Sequence, residues 1–285
     1  MHNYPYFPEE ADYESDLAIE RGRADLGSPG ISYTKRLCLP GTWEEIRVKN
    51  SDGAKIIMRP IGSYDTLNVK RLDVLDEEEL YDVQEEIAKK LCALFDDISV
   101  LPARILIVGL GNRALTPDSI GPKTAEIVKP TMHIREYDEI YFDELECSEL
   151  AVLSPGVTAQ TGLDTGIIVK SVAEGIMPDA IIAIDSLSTK SKSRLGTTVQ
   201  VCDTGIFPGG MYSLKTPITR RGVGVPVIGI GVPTVMSSRL QSDACHDGRI
   251  DLEPMYVSPR EIDEITDNAA KVIGGAINQA FGLYG

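Results

Sequence analysis

The chain has 285 residues, 42% of them hydrophobic and 25% charged, which is enough for a sizeable core in one large domain. Its 43 acidic residues against 28 basic ones give a formal net charge of -15. Such a surface repels phosphate backbones and anionic lipid, which argues against direct binding to nucleic acid or membrane. No apolar run approaches the roughly eighteen residues of a membrane span.

The first forty residues read as a poorly committed leader, punctuated by Pro5, Pro8, Gly27, Pro29, Gly30 and Pro40. The opening ten are aromatic, Pro-rich and acidic, unlike a charged-then-apolar secretory signal. Within the leader only residues 11–23 suit a short helix. Residues 42–61 read as a small β-hairpin appendage. Trp43, Ile46 and Val48 lead into Ser51-Asp52-Gly53, a turn sequence, and Ile56-Ile57-Met58 returns. Residues 76–97 predict a helix. Asp76 and Glu79 have capping-box spacing, and Leu80, Val83, Ile87, Leu91 and Leu94 recur with helical period.

The centre of the chain changes character. Residues 104–110 (RILIVGL), 150–153, 180–184 (AIIAI), 197–201 and 225–232 are short apolar or β-branched runs without polar alternation. Both faces of such strands are expected to be buried, as in a parallel sheet between helices. Helix candidates at 121–128 and 165–175 lie between them. The alternation predicts an α/β fold with a mainly parallel sheet flanked by helices. Residues 237–257 read as an irregular, polar excursion. The last element is a helix from Ser258-Pro259-Arg260-Glu261, with Ile262, Ile265, Ala269, Val272, Ile273, Ala276 and Phe281 on its apolar face.

The five cysteines (Cys38, Cys92, Cys147, Cys202, Cys245) form no CxxC pair. Their spacing fits neither a disulfide framework nor a zinc cage, so each reads as a small buried hydrophobe in a reducing cytoplasm. No metal or cofactor is expected. The three histidines, His2, His133 and His246, have no evident serine or cysteine nucleophile to serve. HExxH, GxSxG and P-loop strings do not occur.

Two strand ends carry acids. The run 104–110 leads into Gly111-Asn112-Arg113-Ala114-Leu115-Thr116-Pro117-Asp118, and the run 180–184 ends in Asp185. In open α/β sheets ligands bind beyond the carboxyl ends of the strands. Each aspartate has two readings: a helix cap or turn residue, or one half of a carboxylate pair. Two carboxylates close together in a desolvated cleft have pKa values pushed apart, so that one stays protonated while the other acts as base. Gly109-Leu110-Gly111-Asn112-Arg113-Ala114 formally matches a dinucleotide fingerprint. Pro117 and Pro122 postpone the helix that motif requires, so the match is weak. Asp203 in Asp203-Thr204-Gly205 reads as a turn residue.

At these residues the sequence resembles the germination protease family of spore-forming bacteria. The matching strings are LIVGLGN-x-x-x-TPD-x-x-GP from Leu106, LSPGV-x-x-x-TG from Leu153, PD-x-I-IAID from Pro178, DTGI-x-PG from Asp203 and GVPVI-x-IGVPTV from Gly224. The resemblance implies a fold like that of hydrogenase-maturation peptidases and an atypical aspartic endopeptidase. Its two essential aspartates fall on Asp118 and Asp185. It further implies a zymogen that removes its own leader. Ser15-Asp16-Leu17-Ala18 matches the expected cut site, with cleavage between Asp16 and Leu17, so that residues 1–16 form the leader and residues 17–285 one α/β peptidase domain. Small acid-soluble spore proteins are the implied substrate, a homotetramer the implied assembly, and the spore core the implied location. Phe207 stands where the family has a histidine, and residues 209–221 keep little of the family's glycine pattern. Two alternatives stay open: a metal-assisted maturation-type peptidase using the same aspartates, and a non-enzymatic paralogue.

Overall fold

A computed structural model describes residues 15–21, 27–97, 103–208, 215–239 and 254–283. Its nine described strands form one sheet: β1 Ile31–Cys38, β2 Gly41–Val48, β3 Gly62–Asn68, β4 Arg104–Gly109, β5 Glu149–Leu153, β6 Ala180–Thr189, β7 Thr198–Cys202, β8 Val227–Arg239 and β9 Pro254–Val257. The order is β1-β2-β3-β7-β8-β6-β4-β5, with β9 also on β8. Strands β8, β6, β4 and β5 are parallel neighbours. The pairs from β1 through β7 to β8, and the β8–β9 pair, are antiparallel. The sheet is therefore mixed, which corrects the expectation of a mainly parallel one. Apolar runs buried on both faces, such as 197–201, look alike whichever way their neighbours run.

Alternation along the strands divides the core. Ile105, Ile107, Ile182, Ile184, Ile228 and Ile230 pack on one face with three helices: α1 Glu77–Asp97, α2 Ile120–Ile127 and Ile262–Phe281. Leu106, Val108, Ile181, Ala183 and Val227 pack on the other face with Val169 and Ala173 of the helix Thr165–Ile176. Helix α1 forms as its period and caps predict. Glu79 N–H donates to Asp76 Oδ1 at 2.9 Å, and Leu80, Val83, Ile87, Leu91 and Leu94 are buried. The last helix begins at Ile262 with Glu261 in the capping position, so Ser258 is not its cap.

The expected hairpin at 42–61 is not formed. Its first arm is β2, but Ser51–Ile57 is a helix. Asn50 Oδ1 accepts from the N–H groups of Asp52 and Gly53 at 3.1 and 2.9 Å. An Asn-Ser-Asp-Gly string suits a helix N-terminus as well as a turn, and here the cap wins. The partners of β2 are β1, drawn from the expected leader, and β3. The three strands are thus an integral edge of the main sheet. Residues 237–257 are likewise not irregular at their ends, where Ser237 pairs with Tyr256 and Arg239 with Pro254. Residues 1–14, Cys245 and His246 lie outside the described residues, as do residues 209–214 of the divergent 209–221 stretch.

Candidate active site

Both aspartates open into one cleft of about 630 Å³. Asp118 follows β4, whereas Asp185 lies within β6, level with the end of β4, because pairing with β8 carries β6 on to Thr189 rather than ending it at the acid. After β4 the chain turns back at Gly111, whose φ is +115°. An L side chain there is strained, and its Cβ would sit 2.1 Å from the Asp118 carbonyl oxygen. Asn112 N–H donates to the Asp118 carbonyl oxygen and to carboxylate Oδ2, both at 2.9 Å. Asp118 ends a single helical turn, Thr116–Asp118, and Ser119 occupies the N-cap position of α2. The cap reading of Asp118 is therefore not what the fold uses. Its carboxyl lines the cleft, and burial raises its pKa against the pull of the Asn112 N–H and of Lys215.

Asp185 follows Ile181 and Ala183 on the second face of β6 and lies just past them, in the cleft. Its Oδ1 accepts from Ser186 N–H at 2.8 Å. Burial first, and then the negative charge of Asp118, push its pKa up to about 8. The Ser186 N–H and Lys215 oppose the shift, and Asp16 adds to it. The charge of Asp118 thus acts on Asp185, and Lys215 acts on both. The result is an unequal pair: at neutral pH Asp185 holds a proton.

The third carboxylate is Asp16, which the motif reading placed at a cut site. The structure places it in the same cleft. Its Oδ2 accepts from both the N–H and the hydroxyl of Ser188 at 2.8 Å. Leu17, Ala18 and Ile19 are completely buried and pack with Ile31, Ile46, Val48, Ile57, Tyr64 and Cys202. Glu20 anchors the far end, accepting from the Thr189 hydroxyl at 2.6 Å and from Lys190 N–H at 2.8 Å.

Other expectations separate from the site. Asp203 acts in a turn, accepting from Ser63 N–H at 2.7 Å. His133 lies exposed in the short helix Met132–Tyr137. The helix after β4 starts only at Ile120, so the glycines of the dinucleotide-like string open no helix. Among the described residues no group of three His, Cys, Asp or Glu side chains could hold a metal ion, and no helix is long and apolar enough to cross a membrane. Sequence reasoning missed Gln200, Ser188 and Lys215 in the cleft. One signal was present for Gln200: it is a lone amide inside an otherwise apolar or β-branched run, Thr198–Cys202.

The family model for germination protease (Peptidase_A25) matches residues 42–246. The chain belongs to the germination protease family. A germination protease of Caldanaerobacter subterraneus subsp. tengcongensis is 36% identical over 79% of this chain and 69% of its own length. That of Clostridium perfringens (strain 13 / Type A) is 32% identical over 93% of this chain and 94% of its own. A [NiFe] hydrogenase maturation protease, HycI from Thermococcus kodakarensis KOD1, aligns with 65% of this chain and 99% of its own at 18% identity and a TM-score of 0.35. Membership of the germination protease family makes this chain a peptidase by kinship.

Proposed function

We propose that the protein is an aspartic-type endopeptidase of spore germination that first cuts itself between Asp16 and Leu17. Asp118 and Asp185 are its working pair. The observation that carries this reading is the joint placement of the two unequal carboxylates and the Asp16 side chain in one cleft. Asp118 accepts a proton from water as the water oxygen bonds to the scissile carbonyl carbon. Asp185 gives its proton to the carbonyl oxygen. On collapse the C–N bond breaks, the leaving amine takes the proton held by Asp118, and Asp185 regains its own from the gem-diol. The reaction needs no metal, thiol or histidine.

The substrate is an extended chain presenting an acid followed by apolar residues, as Asp16-Leu17-Ala18 does. Kinship nominates small acid-soluble spore proteins for that role, in the spore core, with a homotetramer as the working assembly. Intact-mass spectrometry of the full chain during incubation tests the central step. Wild type is expected to lose residues 1–16, and Asp118→Asn to stay whole. Trimming that continues unchanged in Asp118→Asn would overturn the assignment.

A further inference from the structure

Strand register places three residues in one row across the sheet. Gln200 of β7 pairs with Gly231 of β8, and Gly231 pairs with Asp185 of β6. Paired residues share a face, so Gln200 and Asp185 point the same way with only a glycine between them. At roughly 4.8 Å per strand, their Cα atoms are about 9.5 Å apart. A Cβ on Gly231 would meet the Leu187 side chain at 2.5 Å. The row therefore has a carboxyl at one side, an amide at the other and the Leu187 side chain lying over the glycine between them.

The segment Ser15 to Ala18 is held at that row through its own polar groups. Asp16 N–H donates to the Ser188 carbonyl at 3.0 Å. The Asp16 carboxylate takes both donors of Ser188. Gln200 straddles the Asp16–Leu17 peptide bond: its Oε1 accepts from Ala18 N–H at 2.9 Å, and its Nε2 donates to the Asp16 carbonyl oxygen at 3.4 Å. Arg59 donates to the Ser15 carbonyl at 2.9 Å. With the segment in place Gln200 is itself buried, 7% exposed. A buried amide with both ends committed to one peptide segment is a reader of main chain.

We propose that Ser188 and Gln200 form the substrate clamp of this site. Ser188 selects an acidic side chain on the residue that supplies the scissile carbonyl. Gln200 holds the two residues on either side of the bond in register and directs an N–H at the carbonyl oxygen. That N–H is long in the ground state and gains most when negative charge develops on the oxygen during attack. Asp185 and Gln200 stand on the same face of the sheet on either side of Gly231, and both line the cleft that holds Asp16. The proposal rests on the peptidase reading above.

Self-cleavage of the full chain tests it, followed by intact mass against time in a double-mutant cycle. The four proteins are wild type, Asp16→Asn, Ser188→Ala and the double variant. Ser188→Ala is expected to slow cleavage about tenfold or more in the wild-type background. In the Asp16→Asn background it should have little further effect, because the acid it reads is gone. Gln200→Glu keeps the shape and the acceptor for Ala18 but removes the donor, and should slow cleavage on the order of a hundredfold. Circular dichroism confirms that each variant is folded, and should Gln200→Glu not fold, the Ser188 cycle decides alone. If wild type trims itself while Ser188→Ala and Gln200→Glu keep pace, the clamp is overturned and the peptidase reading stands. Equal slowing by Ser188→Ala with and without the acid also overturns it. If wild type does not cut at Asp16–Leu17 at all, both fall together.

Discussion

Asp185 offers a direct thermodynamic test of the site. In the unfolded chain its carboxyl titrates near 3.8, and in the folded protein near 8. Between those values the folded state holds a proton that the unfolded state has released. Stability therefore falls as pH rises through that window and levels off above it. A shift of this size, at about 1.4 kcal/mol per pH unit, corresponds to roughly 5–6 kcal/mol. That is a large share of the 5–15 kcal/mol that typically holds a domain together. Asp185→Asn removes the proton equilibrium while keeping the shape. Urea denaturation of uncut protein, read by circular dichroism at steps from pH 5 to pH 9, gives stability at each pH by linear extrapolation. Wild type should lose stability across the range, and Asp185→Asn should be flatter and more stable than wild type at pH 9. In Asp118→Asn, where the neighbouring charge is absent, the remaining loss should move to lower pH. Parallel curves for wild type and Asp185→Asn would refute the claim that this carboxyl is held protonated by burial and by its neighbour.

Further consequences concern the frame around the site. At Gly121 an added Cβ would lie 2.1 Å from the Leu110 carbonyl oxygen and 2.7 Å from that of Ile184. Gly121→Ala is thus expected to cost about 3 kcal/mol by forcing α2 off the two strand ends, and an unchanged urea midpoint would argue against that close contact. Lys90 pairs with the fully buried Asp65 at 3.3 Å and lies 4.8 Å from the Trp43 ring centre. Lys90→Met strands that carboxylate and should destabilise by about 3 kcal/mol, with Asp65→Leu in the same chain recovering most of it. Self-cleavage should also persist after exhaustive chelation with EDTA. Loss on chelation with recovery on adding zinc would favour a metal-assisted reaction at the same aspartates.

What could be read from sequence follows from where each residue's partners lie. The helix Glu77–Asp97 was legible because its period and its cap are local. The runs that became β4 and β6 were legible because both their faces are apolar and buried. Strand β3 was not, since Gly62-Ser63-Tyr64-Asp65-Thr66-Leu67-Asn68 looks polar. Its Asp65 is buried because Lys90 comes to it from a helix and Arg47 from a neighbouring strand. The same distinction divides the site. Asp118 and Asp185 announced themselves as acids directly after apolar runs, a position set by their own segments, although β6 runs on past Asp185 to Thr189. Gln200 contacts Ala18 across 182 positions, and Ser188 contacts Asp16 across 172. Register supplies these contacts, since only the pairing of β7 with β8 and of β8 with β6 puts Gln200 in line with Asp185. Under the proposed mechanism and clamp the two kinds of residue do different work: the two acids carry the proton chemistry, and the register-placed amide and hydroxyl decide which peptide bond that chemistry meets.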